Sequence, residues 1–167
     1  MSIPASRPGA ASAGVLADLA ATESLAAAIA ARSERGDVIT LAGDLGTGKT
    51  AFARFFIHAR GVRGEVPSPT FTLVQLYATR GPTIWHFDLY RIAGVEEALE
   101  LGLEEAFAEG ISLIEWPDRI AALLPAERLD IELGFVAGRE DARTARLAGD
   151  DRWRSRLAAA AGLDARP

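Results

Sequence analysis

The 167-residue chain contains no cysteine. Disulfides, thiolate metal sites and a cysteine nucleophile are therefore excluded. Lysine is almost absent: of 18 basic residues, Lys49 is the one that is not arginine. There is no basic excess either, because 18 basic against 23 acidic residues leave a net charge of −5. A fold that grips nucleic acid by its own charge carries such an excess, so tight direct binding of RNA or DNA starts as the weaker reading. No apolar run reaches the roughly 18 residues that span a bilayer. The N-terminal stretch lacks the basic region and apolar core of a secretory signal. The expectation is a cytoplasmic protein without membrane attachment.

What is present fits one domain of ordinary size. Apolar residues make up 49% of the chain and charged residues 25%, the balance of a globular protein able to bury a core. Met1 to Gly14, rich in Ala, Ser, Pro and Gly, reads as a flexible tail. The domain is expected over 15–149, with a helical, loosely packed tail over 150–167. Within the domain, Val15 to Leu19 reads as a short edge strand. A helix capped by Thr22 follows, with Leu25, Ala26 and Ile29 on one face and Gly36 at its end. Asp37 to Ala42 is a buried strand by its β-branched apolar run. Gly48 to Arg60 is a helix with Phe52, Phe55 and Phe56 facing the core.

Phe71 to Tyr77 and Thr83 to Asp88 then form a hairpin around Arg80-Gly81-Pro82. Helices are expected over Val95 to Leu101 and again before Gly110. Ile111 to Glu115 is a second buried strand, Trp116 to Leu124 a short helix, and Leu129 to Val136 and Arg139 to Leu147 two last strands. Alternating helices and strands argue for an α/β domain, and the hairpin makes its sheet mixed.

Between the first buried strand and the helix after it lies Gly43-Asp44-Leu45-Gly46-Thr47-Gly48-Lys49-Thr50, which fits G-x-x-x-x-G-K-[ST]. Glycines let backbone N–H groups turn inward around a β-phosphate, and the helix N-terminus aims its positive end at the same charge. Lysine then reaches the β- and γ-phosphates, while the Thr50 hydroxyl takes a place on Mg²⁺. Arginine is a wide planar fork and lysine a compact charge on a flexible stem. That difference explains why this position alone holds lysine in an arginine-heavy chain. The strand-loop-helix context is the one the motif requires. This is a nucleotide-binding loop.

Phosphoryl chemistry also needs a carboxylate near Mg²⁺ and a group to orient the nucleophile. Asp88 and Glu115 end two apolar strands, Ile84 to Asp88 and Ile111 to Glu115. If those strands flank the loop strand, both acids reach the edge where open α/β sheets bind ligands. Pattern alone does not say which is the metal partner and which the base. Ser68-Pro69-Thr70 is a γ-phosphate sensor or a turn. Trp116 lines the nucleotide pocket or packs in the core. His86 reads as structural, Arg91 as a partner of phosphate or, by default, of a surface acid, and His58 as surface or packing. The acidic stretch Val95 to Glu109 reads as a solvated face, with partner docking as the sharper alternative.

Taken in order, GDLGTGKT, PSPTFTLVQLY, HFDLYR and IEWPDR resemble the TsaE family over roughly Val15 to Leu147. The resemblance implies a P-loop NTPase-like three-layer sandwich with a mixed, mainly parallel sheet. It implies an ATPase that supports formation of threonylcarbamoyladenosine in tRNA by a complex of TsaB and TsaD, contacting tRNA only through that complex. In this reading, Asp44, Leu45, Gly46, Thr47, Gly48, Lys49, Thr50, Ala51 and Trp116 hold ATP or ADP. Thr50, Glu115 and Asp88 serve Mg²⁺, and Lys49, Asp88 and Glu115 carry the catalysis. The stretch Thr22-Glu23-Ser24 would lie near the adenine, and Ser68 to Thr70 would act as a switch. Ala51 departs from relatives that carry a second threonine there.

Three rival readings stand beside it. A small-molecule kinase needs an arginine-bearing lid, yet Leu89 to Gly110 carries only Arg91. A regulatory GTPase needs N-K-x-D, which a chain with Lys49 as its single lysine cannot contain. A nucleotide-gated assembly factor that does not hydrolyse differs least.

Overall fold

The computed structural model describes residues 11–159 of the chain. The expected tails therefore fall outside the described residues over 1–10 and 160–167. Seven strands form one sheet in the order β1-β7-β6-β2-β5-β4-β3. They are β1 (Ala11–Leu16), β2 (Val38–Ala42), β3 (Val74–Tyr77), β4 (Ile84–Asp88), β5 (Ile111–Glu115), β6 (Leu129–Val136) and β7 (Arg139–Gly149). The helices are α1 (Leu19–Ala30), α2 (Lys49–Ala59), α3 (Val95–Glu100), α4 (Leu103–Glu109) and α5 (Asp151–Ala158).

The four central strands β6, β2, β5 and β4 are parallel, while β7, β1 and β3 join by antiparallel pairing. Because β1 is antiparallel to β7, which is itself antiparallel to β6, five of the seven strands run one way. The sheet is mixed and mainly parallel, as expected.

Both faces are covered, which a parallel centre requires. On one face, Ile39 and Leu41 of β2 and Ile111 and Leu113 of β5 pack with Leu25, Ile29, Phe52 and Phe56 from α1 and α2. On the other, Val38, Phe87 and Ile114 pack with Ala98, Leu103, Ala106 and Ile120 from α3, α4 and the turn beyond β5. This is a three-layer α/β sandwich. Period-2 alternation divides each central strand between two cores, so β4 and β5 are buried along their whole length. Among the described residues no helix is long and apolar enough to cross a membrane.

Several boundaries differ from expectation for identifiable reasons. Ala11–Gly14, assigned to the tail, belong to β1 because they pair with Ala145–Ala148 of β7. The cap of α1 is Asp18, whose carboxylate accepts from the Ala21 N–H at 2.8 Å. Thr22 lies a turn inside and is buried. The same helix stops at Ala30, well before Gly36. β3 begins at Val74, since Leu73 sits at φ 65 and breaks the extended run from Phe71. Pro117–Leu123 is a 3₁₀ segment kinked at Ile120. β7 runs on to Gly149, paired with Leu129.

The C-terminal helix departs most. Asp150 caps it by accepting from the Trp153 N–H at 2.9 Å, and Trp153 is fully buried in the α1–α2 core. Arg156 pairs with Asp37 at 2.6 Å and Glu34 at 2.8 Å, tying α5 to the entrance of β2. The last helix is thus part of the domain. Trp153→Ala is expected to cost about 3–5 kcal/mol of stability, read as a lower urea midpoint at unchanged slope. A loss below about 1 kcal/mol would return α5 to the status of a loose tail.

Candidate functional site

The loop Gly43–Gly48 leaves β2 at the centre of the sheet, between β5 and β6. The chain first runs from β2 to the β3–β4–β5 side and only later returns to β6, so the loop sits at a switch point, where α/β sheets bind ligands. Gly43 takes φ +140, and a Cβ there would lie 2.3 Å from the Leu133 carbonyl oxygen. Nothing larger fits. Gly48 takes φ +102 to turn the loop into α2, whose first residue is Lys49.

The Lys49 ammonium donates to the carbonyl oxygens of Gly43 at 2.7 Å and Asp44 at 2.9 Å. It also lies 4.2 Å from the centre of the Trp116 ring, a cation–π contact. Burial lowers its pKa, while Glu115, Asp88 and Asp44 pull the other way. On the next position, Thr50 donates its hydroxyl to Glu115 Oε2 at 3.0 Å. Glu115 Oε1 lies 2.8 Å from His86 Nε2. Across the strands, Glu115 pairs with Asp88 in register, and Leu41 with Glu115. Asp88 Oδ1 accepts from the Tyr90 N–H at 3.1 Å.

Asp88 and Glu115 are 7% and 2% exposed. Burial raises the Asp88 pKa above its ordinary value and the Glu115 charge adds to the rise, against the Tyr90 N–H, His86 and Lys49. Trp116 takes φ 59 directly after β5. This left-handed turn, costly for a residue with a Cβ, starts the 3₁₀ segment and lays the indole over Lys49. Its ring also meets Tyr90 at 4.8 Å between centroids.

A cleft of about 450 Å³ joins these groups. Of the residues singled out from sequence, it is lined by Leu45, Gly46, Gly48, Lys49, Thr50, Ala51, Asp88, Glu115 and Trp116, together with Ser68, Thr70 and Arg91. Asp44 and Thr47 belong to the loop without lining the cleft: the Asp44 carbonyl accepts from the Thr47 hydroxyl at 2.8 Å. Thr22, Glu23 and Ser24 lie on α1 and do not line it. The hydroxyls of Ser68 and Thr70 bond each other at 2.8 Å. Arg91 lies over the Phe71 ring at 5.0 Å, in place of the expected ion pair. His58 is exposed, with Nδ1 3.0 Å from the Val62 carbonyl oxygen. Trp116 both lines the cleft and packs on the α3–α4 core.

Pattern reading missed three contributors. His86, structural by pattern, contacts Glu115 at 2.8 Å; its position two residues before Asp88, on the same strand face, is the available signal. Tyr90 went unnoticed beside Asp88. Arg143 on β7 donates to the carbonyl oxygen of Thr47 at 3.2 Å and so braces the loop from a strand distant in sequence. No local signal marks it, because the loop atoms it bonds are backbone carbonyls.

The chemistry of this donor set is legible. One hydroxyl and two carboxylates, all oxygen, suit a hard divalent cation that completes its shell with phosphate oxygens and water. Among the described residues no group of three or more His, Cys, Asp or Glu forms a metal cage by itself. Loop amides, a helix N-terminus and Lys49 suit a polyphosphate.

A carboxyl raised above its ordinary value near 3.8 stabilises the fold below that value and loses the contribution as pH rises through its folded value. At neutral pH the ionised Asp88 therefore costs stability in the unliganded chain. Asp88→Asn, which keeps the acceptor for Tyr90, is expected to raise Tm by a few degrees at pH 7. The gain should vanish in acid below the ordinary carboxylate range. Differential scanning calorimetry at both pH values checks this, and an unchanged or lower Tm at neutral pH counts against it.

Comparison with known proteins places the chain. A family model described as "Threonylcarbamoyl adenosine biosynthesis protein TsaE" matches residues 16–144. The tRNA threonylcarbamoyladenosine biosynthesis protein TsaE of Rickettsia bellii is 43% identical over 116 residues, covering 69% of this chain and 81% of the relative. Its counterpart of the same name from Bacillus subtilis is 42% identical over 111 residues, 66% of this chain and 69% of the relative. The crystal structure of Bacillus subtilis YdiB superposes with a TM-score of 0.74 at 29% identity, over 92% of this chain and 96% of that one. The matched span includes the loop, Asp88, Glu115 and the bracing Arg143, and on that breadth the chain belongs to the TsaE family.

Proposed function

We propose that the chain is a P-loop ATPase that binds and hydrolyses Mg-ATP to support formation of threonylcarbamoyladenosine in tRNA by a cytoplasmic TsaB–TsaD complex. The observation that carries this reading is convergence: Lys49, Thr50, Asp88 and Glu115, from one loop-helix junction and two strand ends, line a single cleft. The role in tRNA modification follows from the printed names of the family and its curated relatives. The acidic charge of the chain fits a protein that meets tRNA through its partners.

In this mechanism the loop amides and Lys49 hold the phosphates. The ammonium already sits at the cleft on two backbone carbonyls, which are weaker acceptors than a phosphate oxygen. Thr50 and Asp88 would hold Mg²⁺, which would supply charge neutralisation at the phosphates when bound. Glu115 orients the water that attacks the γ-phosphorus, and the bond to the bridging oxygen breaks to release ADP. Trp116 closes over Lys49 and limits access of other water. Ser68 and Thr70, which also line the cleft, carry hydroxyls able to sense the γ-phosphate.

Turnover of ATP with Mg²⁺ is expected to be slow for the chain alone and faster with the TsaB–TsaD pair. Lys49→Ala should abolish both rates. Equal turnover with and without the pair, or none in either setting, counts against energy coupling. Glu115→Gln should cut turnover about 100-fold or more while ATP binding, measured by calorimetry, changes little. If tRNA modification in cells survives that substitution, binding rather than hydrolysis is the useful event and the nucleotide-gated reading takes over.

A further inference from the structure

His86 has no exposed surface, so nothing bound in the cleft touches it. Its position follows from strand geometry. It faces the same side of the sheet as Asp88 and stands opposite Leu113 of β5. The next β5 residue on that face is Glu115, and an imidazole is long enough to span the diagonal. The pair lies 2.8 Å apart, while the second carboxylate oxygen takes the Thr50 hydroxyl. Glu115 is thereby held at both oxygens, by a strand on one side and a helix on the other. At 2% exposure it has almost no surface through which water could replace a lost partner.

The other ring nitrogen decides where the proton sits. His86 Nδ1 is buried and has no hydrogen-bond partner among the described residues. A proton there would leave a buried donor unpaired and set the Nε2 lone pair against a carboxylate oxygen, both unfavourable. With the proton on Nε2, the ring donates to Glu115 and leaves one acceptor unpaired. We propose that His86 is a positioning residue, whose Nε2–H fixes the Glu115 rotamer so that the other oxygen faces Thr50 and the cleft. The functional part rests on the ATPase reading above; the Nε2–H pairing does not.

Two substitutions separate positioning from bulk packing. In His86→Gln the amide nitrogen falls near the place of Nε2, and in His86→Asn near that of Nδ1. Steady-state ATP turnover is measured on the full chain with the TsaB–TsaD pair. His86→Asn is expected to lower kcat by about 10- to 100-fold, the usual cost of losing the group that orients a site ligand, with little change in KM. His86→Gln should restore most of the loss. Equal losses in both variants, or a loss confined to KM, overturn the assignment.

Polar swaps at a fully buried site also lower stability, so a second measurement uses the unaltered chain. It has two histidines, and long-range ¹H–¹⁵N spectra near neutral pH distinguish their tautomers, with His58→Gln giving the assignment. A proton on Nε2 of His86 is expected. A ring protonated on Nδ1 with Nε2 bare overturns the pairing whether or not the variants fold. Absence of turnover in the unaltered chain would strike the ATPase reading instead, and the spectrum would still decide the pair.

Discussion

Three parallel strand ends held level are the constraint on which the rest depends. Leu41, Glu115 and Asp88 lie side by side in the register of β2, β5 and β4. That row brings the glycine-rich loop, one carboxylate and the other to the same edge of the sheet. A slip of one residue would turn Glu115 and Asp88 to the opposite face, because side chains alternate with period two. The register is protected by burial on both faces. Ile111 and Leu113 face one core and Ile114 the other, so no shifted pairing satisfies both.

The cleft accepts unfavourable local terms in exchange. Two carboxylates and an ammonium are nearly out of water, and burial works against the charge on both Asp88 and Lys49. Leu73 and Trp116 hold left-handed backbone without being glycine. Such departures cost of order 1–3 kcal/mol each and persist where surrounding structure over-determines them. Here both flank the cleft segments: the Leu73 carbonyl accepts from the Asp88 N–H at 2.9 Å, and Trp116 follows Glu115. The two folded cores supply what the site loses. A hydrogen-bonded chain from His86 through Glu115 to Thr50 then converts buried, fixed positions into an oriented carboxylate at the surface of the cleft.

Much of this was legible residue by residue. The run Val-Ile-Thr-Leu-Ala, the glycines after it and Lys49 announce strand, loop and helix, since each needs a short local pattern. The acids at the ends of β4 and β5 stood out by contrast with the apolar residues before them. Less legible were features whose cause lies elsewhere in the chain. Ala11–Gly14 have no strand signal of their own and are extended because β7 offers them partners. Trp153 sits in a sequence too polar to suggest a core helix, and its burial depends on the core that α1, α2 and the sheet share. Arg143 contributes through backbone carbonyls, which carry no sequence signature.

The sequence by itself determined the local pattern of the site. A loop that only glycine can turn, a single lysine after it and a threonine next to that form the pattern on which the proposed polyphosphate binding rests. It also determined that the sheet would be buried on both faces, from strands apolar at successive positions. The tertiary structure decided which groups act together. Strand order brought β5 beside β2 and β4 beside β5, and thus placed Glu115 between Thr50 and His86. It decided that Trp116 covers Lys49 and that α5 belongs to the core. Local preference is a property of neighbouring residues, whereas pairing order and diagonal contacts arise only when distant segments compete for the same hydrogen bonds and the same buried space.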